Sequence, residues 1–308
     1  MVDSPTATPL WQAAWDEALY GARGFFRTHR PAAHFRTSVH ASPEYAEALV
    51  RLAHEHRLTS VVDVGAGGGE LLSGIHAVDP TLRLHGVEVA SPPAALPDAV
   101  TWSAGLPERL DGLVIANEWL DNVPCPVVEV DDRGVSRLVH VDPGTGRERL
   151  GDRPPERLAS WLGTWWPLDA EPGRRAEVGL PRDAAWRSLV SRTTGLAVAV
   201  DYGHTRDQRP LFGTLRSYRD GHEVDVRPDG ARDVTAHVAV DSVAAAVGGR
   251  LTRQRDALGD LGVSGRRPDL ALATEDPAAY LRALGTAAGA AELVAEGGLG
   301  DFWWIISG

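Results

Sequence analysis

The stretch Ser60-Val-Val-Asp-Val-Gly-Ala-Gly-Gly-Gly69 decides how the chain is read. Val61, Val62 and Val64 are β-branched, and a short run of this kind suits a strand buried on both faces of a parallel sheet. Asp63 interrupts the run just before the glycines begin. Gly65, Gly67 and Gly69 remove Cβ atoms from the turn, so the backbone can take positive φ and approach a ligand closely. Leu71, Leu72 and Ile75 follow at helical spacing. The order strand, glycine loop, helix is a usual place to hold a nucleotide-like ligand.

Spacing selects among such ligands. A dinucleotide loop reads G-x-G-x-x-G, because a pyrophosphate needs free backbone N–H groups beside a helix N-terminus. Here the pattern is D-x-G-x-G-x-G, with Ala66 between the first two glycines. An acid two residues before the first glycine would repel phosphate, but it suits S-adenosylmethionine, with its sulfonium and ammonium groups. The second strand is expected over Leu82 to Val89, bringing Glu88 to its end, where a carboxylate can accept from ribose hydroxyls. That second acid fits NAD equally well, so a nicotinamide enzyme stays open.

Composition bounds the remainder. The chain has 308 residues, enough for one large or two ordinary domains, and its net charge of −11 argues against a broad nucleic-acid surface. No apolar run approaches the ~20 residues of a membrane span. No secretory signal is expected at the start, and Cys125 is the only cysteine. An internal disulfide is thereby excluded, and a reducing, cytoplasmic setting is expected. No serine or cysteine sits in a nucleophile elbow, and no His and Cys set has metal-ligand spacing, so neither a hydrolase nor a metal is expected.

Along the chain, Trp11, Ala14, Trp15, Ala18 and Leu19 form a helical apolar stripe. Ser42 and Pro43 read as an N-cap and first position of a helix running to about Arg57, with Tyr45 inward. Val100 to Trp102 suits a minimal third strand. Leu113 to Ala116 is apolar and stops at Asn117-Glu-Trp-Leu-Asp-Asn-Val-Pro124. Ligands of open α/β sheets bind outside the carboxyl ends of the strands, so Asn117 and Glu118 should face the same crevice as the glycine loop. If a helical turn follows, Glu118 and Asp121 share a face. Two carboxylates and an amide there suit a guanidinium or an amine, although a capping cluster is an equal reading.

Residues 124–194 interrupt the sheet pattern. They are expected to hold a hairpin around Asp131 to Gly134 and two helices, as a lid or substrate subdomain. Gly195 to Val200 is again a buried strand, ending in Asp201-Tyr-Gly-His204, so Asp201 and Tyr202 should point toward the crevice. Thr235, His237 and Asp241 lie in Asp233-Val-Thr-Ala-His-Val-Ala-Val-Asp241, with strand-like alternation. Phe302 to Ile306 is expected as a last strand, at the edge of the sheet.

These motifs, in this order, resemble the MidA-like family of Rossmann methyltransferases, which includes a mitochondrial complex I assembly factor that methylates arginine. The resemblance rests on Phe35-Arg-Thr-Ser38 with Pro43, the loop Asp63 to Gly69, and Val87-Glu88. Further matches are Ala116 to Pro124, Asp201-Tyr-Gly203, Gly213-Thr-Leu215 with Tyr218, and Asp233 to Asp241. It implies an α/β, Rossmann-like class I methyltransferase fold with a mostly parallel seven-stranded sheet. Residues 59–123 and 195–308 would form the core, 124–194 an inserted lid or substrate subdomain, and 1–58 a helical cap contributing to the pocket. It implies S-adenosyl-L-methionine as cofactor and S-adenosyl-L-homocysteine as product. Asp63, Gly65, Ala66, Gly67 and Gly69 would hold the methionine end, Glu88 the ribose, with Asn117 and Thr37 beside them. Glu118, Asp121, His237 and Asn117 would be catalytic. Phe35, Ser38, Asp201, Tyr202 and Thr235 would line the acceptor pocket. The expected acceptor is a protein or peptide arginine. A small-molecule N- or O-methyltransferase and a non-catalytic scaffold are the alternatives, and a homodimer is left open.

Overall fold

A computed structural model describes residues 8–29 and 38–308. Contacts divide the chain into two compact units. One comprises Phe35–Trp119, Leu189–Tyr202 and Gly248–Gly308; the other comprises Met1–His34, Leu120–Ser188 and Gly203–Val247. Ser38 to Leu58 groups with the sheet, and Gly203 to Val247 does not, because the chain leaves the sheet after Asp201 and forms small sheets before returning at Arg250.

The first unit is built on a seven-stranded sheet. Its strands are β1 (Ser60–Val64), β2 (Arg83–Val87), β3 (Val100–Ser103), β4 (Leu110–Asn117), β5 (Thr193–Asp201), β6 (Arg250–Arg253) and β7 (Trp303–Ser307). Across the sheet they run β3-β2-β1-β4-β5-β7-β6. The neighbours from β3 to β5 are parallel, while β7 is antiparallel to both β5 and β6, so the sheet is mixed. β7 therefore lies inside the sheet and not at the expected edge; the edge is β6, whose Arg-Leu-Thr-Arg sequence carries little strand signal.

The valines of β1 are buried throughout, as a central parallel strand requires. Helix Pro43–Glu55 starts as expected: Ser42 caps it through Glu44 N, and Pro43 loses no helical hydrogen bond at the first position. Its Tyr45, Leu49 and Ala53 share a core with Leu71, Leu72 and Ile75 of helix Glu70–Val78, and with Leu113, Ile115, Val198 and Trp304 of the sheet. The chain order reverses between β1 and β4, which places a switch point at their carboxyl ends.

The second unit holds three small sheets. Glu148–Leu150, Ser136–Val141, Val127–Val130 and Arg175–Glu177 form an antiparallel four-stranded sheet, containing the expected hairpin. His222–Val224, Arg216–Arg219 and Asp233–Thr235 form a second, and Gly203–His204 pairs with Val238–Ala239. Asp241 lies in helix Val240–Ala245, so the alternating pattern stops short of it. Trp11, Trp15 and Phe25 pack with Val127, Val139 and Val234, and Trp161 and Trp166 with Val128 and Ala176. The buried tryptophans are core residues. No helix among the described residues is long and apolar enough to cross a membrane.

Candidate active site

At the end of β1 the glycine loop closes on itself. Gly65, Gly67 and Gly69 adopt φ of 76°, 54° and 75°, in the left-handed region that disfavours any side chain. Its amides already have acceptors: Gly65 N and Ala66 N donate to Val87 O, Gly69 N to Ala66 O, and Gly67 N to Glu88 Oε2 at 3.1 Å. Four donors that a pyrophosphate loop would present to phosphate are thus spent within the protein, which removes the main support for a dinucleotide. A Cβ built at Gly65 would stand 3.1 Å from Trp119 Cδ1, and one at Gly69 would stand 2.5 Å from Leu96 Cδ1. At Gly67 it would meet nothing within 4 Å, so the loop is open at its middle.

The loop is ringed by acids. Asp63 is 4% exposed and has no hydrogen-bond or ion-pair partner for its carboxylate among the described residues. Burial, then the charges of Glu88 and Glu70, push its pKa up to about 7. Glu88 accepts from Gly67 N and, through Oε1, from Ala90 N at 3.1 Å; burial raises its pKa against these amides. A buried, unpartnered carboxylate among other acids is costly unless a cation arrives. The donor set therefore fits a cationic ligand with hydroxyls, since each Glu88 oxygen retains a second lone pair.

At the end of β4 the expected helical turn does not form. Glu118 takes φ 50° in a bend, a strained position for a non-glycine residue, and its N–H donates to Val200 O at 2.7 Å. Asn117 Nδ2 donates to Glu118 Oε1 at 3.1 Å, and Tyr45 Oη donates to Asn117 Oδ1 at 2.8 Å. Tyr45 is completely buried; burial and the charges of Glu118 and Asp63 hold its pKa well above the usual tyrosine value. Asp201 ends β5 fully buried, and the Tyr202 ring lies 5.5 Å from that of Phe302. Ser38 is buried and shares a hydrogen bond with Gln254 at 3.3 Å, which places it in the core. Phe35 and Thr37 lie outside the described residues.

The other predicted residues belong to the second unit. Asp121 Oδ2 accepts from Thr235 Oγ1 at 2.7 Å, and Asn122 Nδ2 donates to Asp233 Oδ1 at 2.9 Å. Burial and the Asp121 charge push Asp233 up to about 8. His237 N donates to Thr214 Oγ1; desolvation, then Arg216 and Arg182, hold the His237 imidazole below the usual value, so it is neutral at pH 7. Arg182, 1% exposed, ties these segments together by donating to Asp121 O, Val123 O and His237 O. The sequence marked Tyr45 only as inward-facing and did not single out Arg182.

A cavity of about 240 Å³ opens among Ser60, Arg83, His85, Thr101 and Arg109, at the amino ends of the strands. Among the described residues no group of three or more His, Cys, Asp or Glu is placed to hold a metal.

Comparison with known proteins agrees with this geometry. No curated protein matches the chain. Two solved structures from Burkholderia thailandensis are similar over 97% of this chain and 87% of their own. One, a COG1565 superfamily member bound to S-adenosyl-homocysteine, has a TM-score of 0.77 at 24% identity. The other, a native COG1565 superfamily protein, has a TM-score of 0.76 at 25% identity. The family model described as "Putative S-adenosyl-L-methionine-dependent methyltransferase" matches residues 72–255, a segment that begins just after the glycine loop and spans the Asn117 to Pro124 and Asp233 to Asp241 motifs. The MidA-like resemblance is thereby met, and the chain belongs to this family: it is an S-adenosyl-L-methionine-dependent methyltransferase.

Proposed function

We propose that the methyl acceptor is an arginine guanidinium of a protein or peptide, and that Glu118 receives it. The observation that carries this reading is the strained turn at Glu118, which holds a carboxylate at the carboxyl end of β4, next to the strand that bears the glycine loop. Strain of this kind persists where surrounding structure fixes it, and it clusters at reacting groups. A planar guanidinium matches a carboxylate through paired N–H donors.

In this reading Asp63 and the loop Gly65 to Gly69 hold the methionine end of the cofactor, Glu88 holds its ribose, and Asn117 stands between cofactor and acceptor. The cofactor supplies an electrophilic methyl on a sulfonium. With the cofactor bound, Glu118 would orient the acceptor nitrogen and take the proton that it loses on methylation. Holding both partners at near-attack distance supplies much of the rate. Asp201 and Tyr202, at the end of β5, are read as acceptor-pocket residues. The segment 124–194 is read as the substrate subdomain.

The test combines calorimetry with S-adenosylmethionine and transfer of labelled methyl to arginine-containing peptides. Glu118→Gln should lower transfer by about 10²–10⁴-fold, the usual span for a lost general base, with cofactor affinity within about twofold. Equal turnover in the variant ends the role of Glu118. Cofactor binding with no labelled arginine, and label appearing in small amines or hydroxyls instead, ends the arginine reading.

A further inference from the structure

We infer that Tyr45 is a positioning residue for the reaction, acting on Glu118 through Asn117; the inference rests on the catalytic reading of Glu118 given above. Tyr45 is the third residue of helix Pro43–Glu55, 72 residues away from Asn117 in the chain. Its ring is packed in the core with Leu49, Leu71 and Leu113, so rotation of the side chain is blocked.

The relay has a fixed direction. The Tyr45 hydroxyl donates to Asn117 Oδ1, so the amide must present its NH₂ to the other side, and Nδ2 donates to Glu118 Oε1. A flipped Asn117 would set its oxygen against the Glu118 carboxylate and its NH₂ against the Tyr45 oxygen. The first contact is repulsive between two acceptors, and the buried hydroxyl would lose its acceptor. The hydroxyl thus decides which face of the amide Glu118 meets. It keeps the Glu118 carboxyl oxygen facing a donor in the bend that its own backbone disfavours. A phenol that stays protonated is required for this, and the acids around Tyr45, namely Glu118 and Asp63, oppose its ionisation.

A helix assigned to the core therefore reaches the reacting end of β4. Its inward tyrosine fixes an amide, and the amide fixes a carboxylate. A phenylalanine would fill the same volume and bury as well, but would leave Asn117 free to turn over. Packing alone does not ask for the hydroxyl.

The experiment follows the Asn117 side-chain NH₂ pair by ¹⁵N NMR in the full chain, assigned by its disappearance in Asn117→Ala. In the wild type the pair should exchange slowly with solvent, and its resonances should move in Glu118→Gln, where the acceptor changes from a carboxylate to an amide. In Tyr45→Phe, exchange should accelerate about fivefold to tenfold while calorimetric S-adenosylmethionine affinity stays within about twofold. If exchange is unchanged in a folded Tyr45→Phe, the relay is wrong. Should that variant fail to fold, wild-type protein grown with 3-fluorotyrosine, which keeps the ring and alters hydroxyl donation, should shift the Asn117 resonances; no shift overturns the inference. The two readings fail separately. Full methyl transfer in Glu118→Gln would end the catalytic role and leave the relay standing, whereas unchanged exchange ends only the relay.

Discussion

At the carboxyl end of the sheet, Asp63 is 4% exposed and no side chain donates to it among the described residues; in the second unit, Asp233 is 6% exposed and accepts from Asn122 Nδ2. Both carboxyls are pushed up, to about 7 and about 8, and burial is the first cause for each. The surroundings differ. Asp63 faces Glu88 and Glu70 beside a glycine loop whose amides are already used. Asp233 sits beside Asp121, whose own carboxylate is held by Thr235 and whose carbonyl is held by Arg182. An acid without donors among the described residues, beside an open loop, suits the cationic cofactor proposed to bind there. An acid supplied with donors in a closed network holds that network's shape. On the reading proposed above, the same residue type serves ligand binding in one region and architecture in the other.

The largest effect that would break this comparison belongs to the architectural side. Arg182→Ala removes donors from three carbonyl oxygens and should cost about 3–5 kcal/mol of stability, within the range for disrupting a buried charged network. Urea unfolding measures it, and a loss below about 1 kcal/mol would mean the network is not structural.

Asp63→Asn should do the reverse. Apo stability should hold or rise, because a buried charge is removed, while S-adenosylmethionine affinity falls at least about tenfold, near 1.4 kcal/mol. Calorimetry beside thermal melts separates the two. A variant that melts early with normal affinity would place Asp63 with the architectural acids.

The pH dependence sharpens the contrast further. In the apo protein Asp63 titrates near 7, and a bound cation favours its ionised form. Binding below pH 7 must expel a proton, so affinity should fall by up to about tenfold per unit on acidification and level off above pH 7. Calorimetry in buffers of different ionisation enthalpy would read the proton release. A flat affinity between pH 5.5 and 8 would contradict the role.

Asp233→Asn should have the smallest effect. At pH 7 the native side chain is mostly protonated, and the amide replaces it closely, so stability should change by less than about 1 kcal/mol. Its folded pKa lies above the ordinary value of 3.8, so its contribution is complete below about pH 4, declines as pH rises toward 8, and is gone above it. The variant should lose that part of the decline. Urea midpoints across pH 5 to 9 would show it, and parallel curves for both proteins would refute the assignment.

Much of the sheet was legible because its strands are coded locally. Val61 to Val64, Leu113 to Ala116 and Gly195 to Val200 are apolar runs with no helical rival, and Ser42-Pro43 marks a helix start by capping chemistry alone. The glycine loop announced its backbone for the same reason, since only glycine accepts φ near 75° freely. The failures share the opposite cause. β6 was not visible, and β7 was placed at the edge, because Arg250 to Arg253 becomes a strand only by pairing with residues 50 to 56 positions later. The bend at Glu118 replaced a helical turn because Val200 O, supplied by β5, holds its amide.

The sequence by itself determined the class of fold, the glycine loop, the acids at its rim and the family, since each is written in contiguous residues whose conformational preferences are local. Only the tertiary structure decided which acids stand alone and which are satisfied, and it alone brought Tyr45 to Asn117 and Arg182 to three carbonyls. Hydrogen bonds between residues 55 to 72 apart in the chain leave no pattern in either partner's neighbourhood, because geometry selects the pairing once the cores have packed.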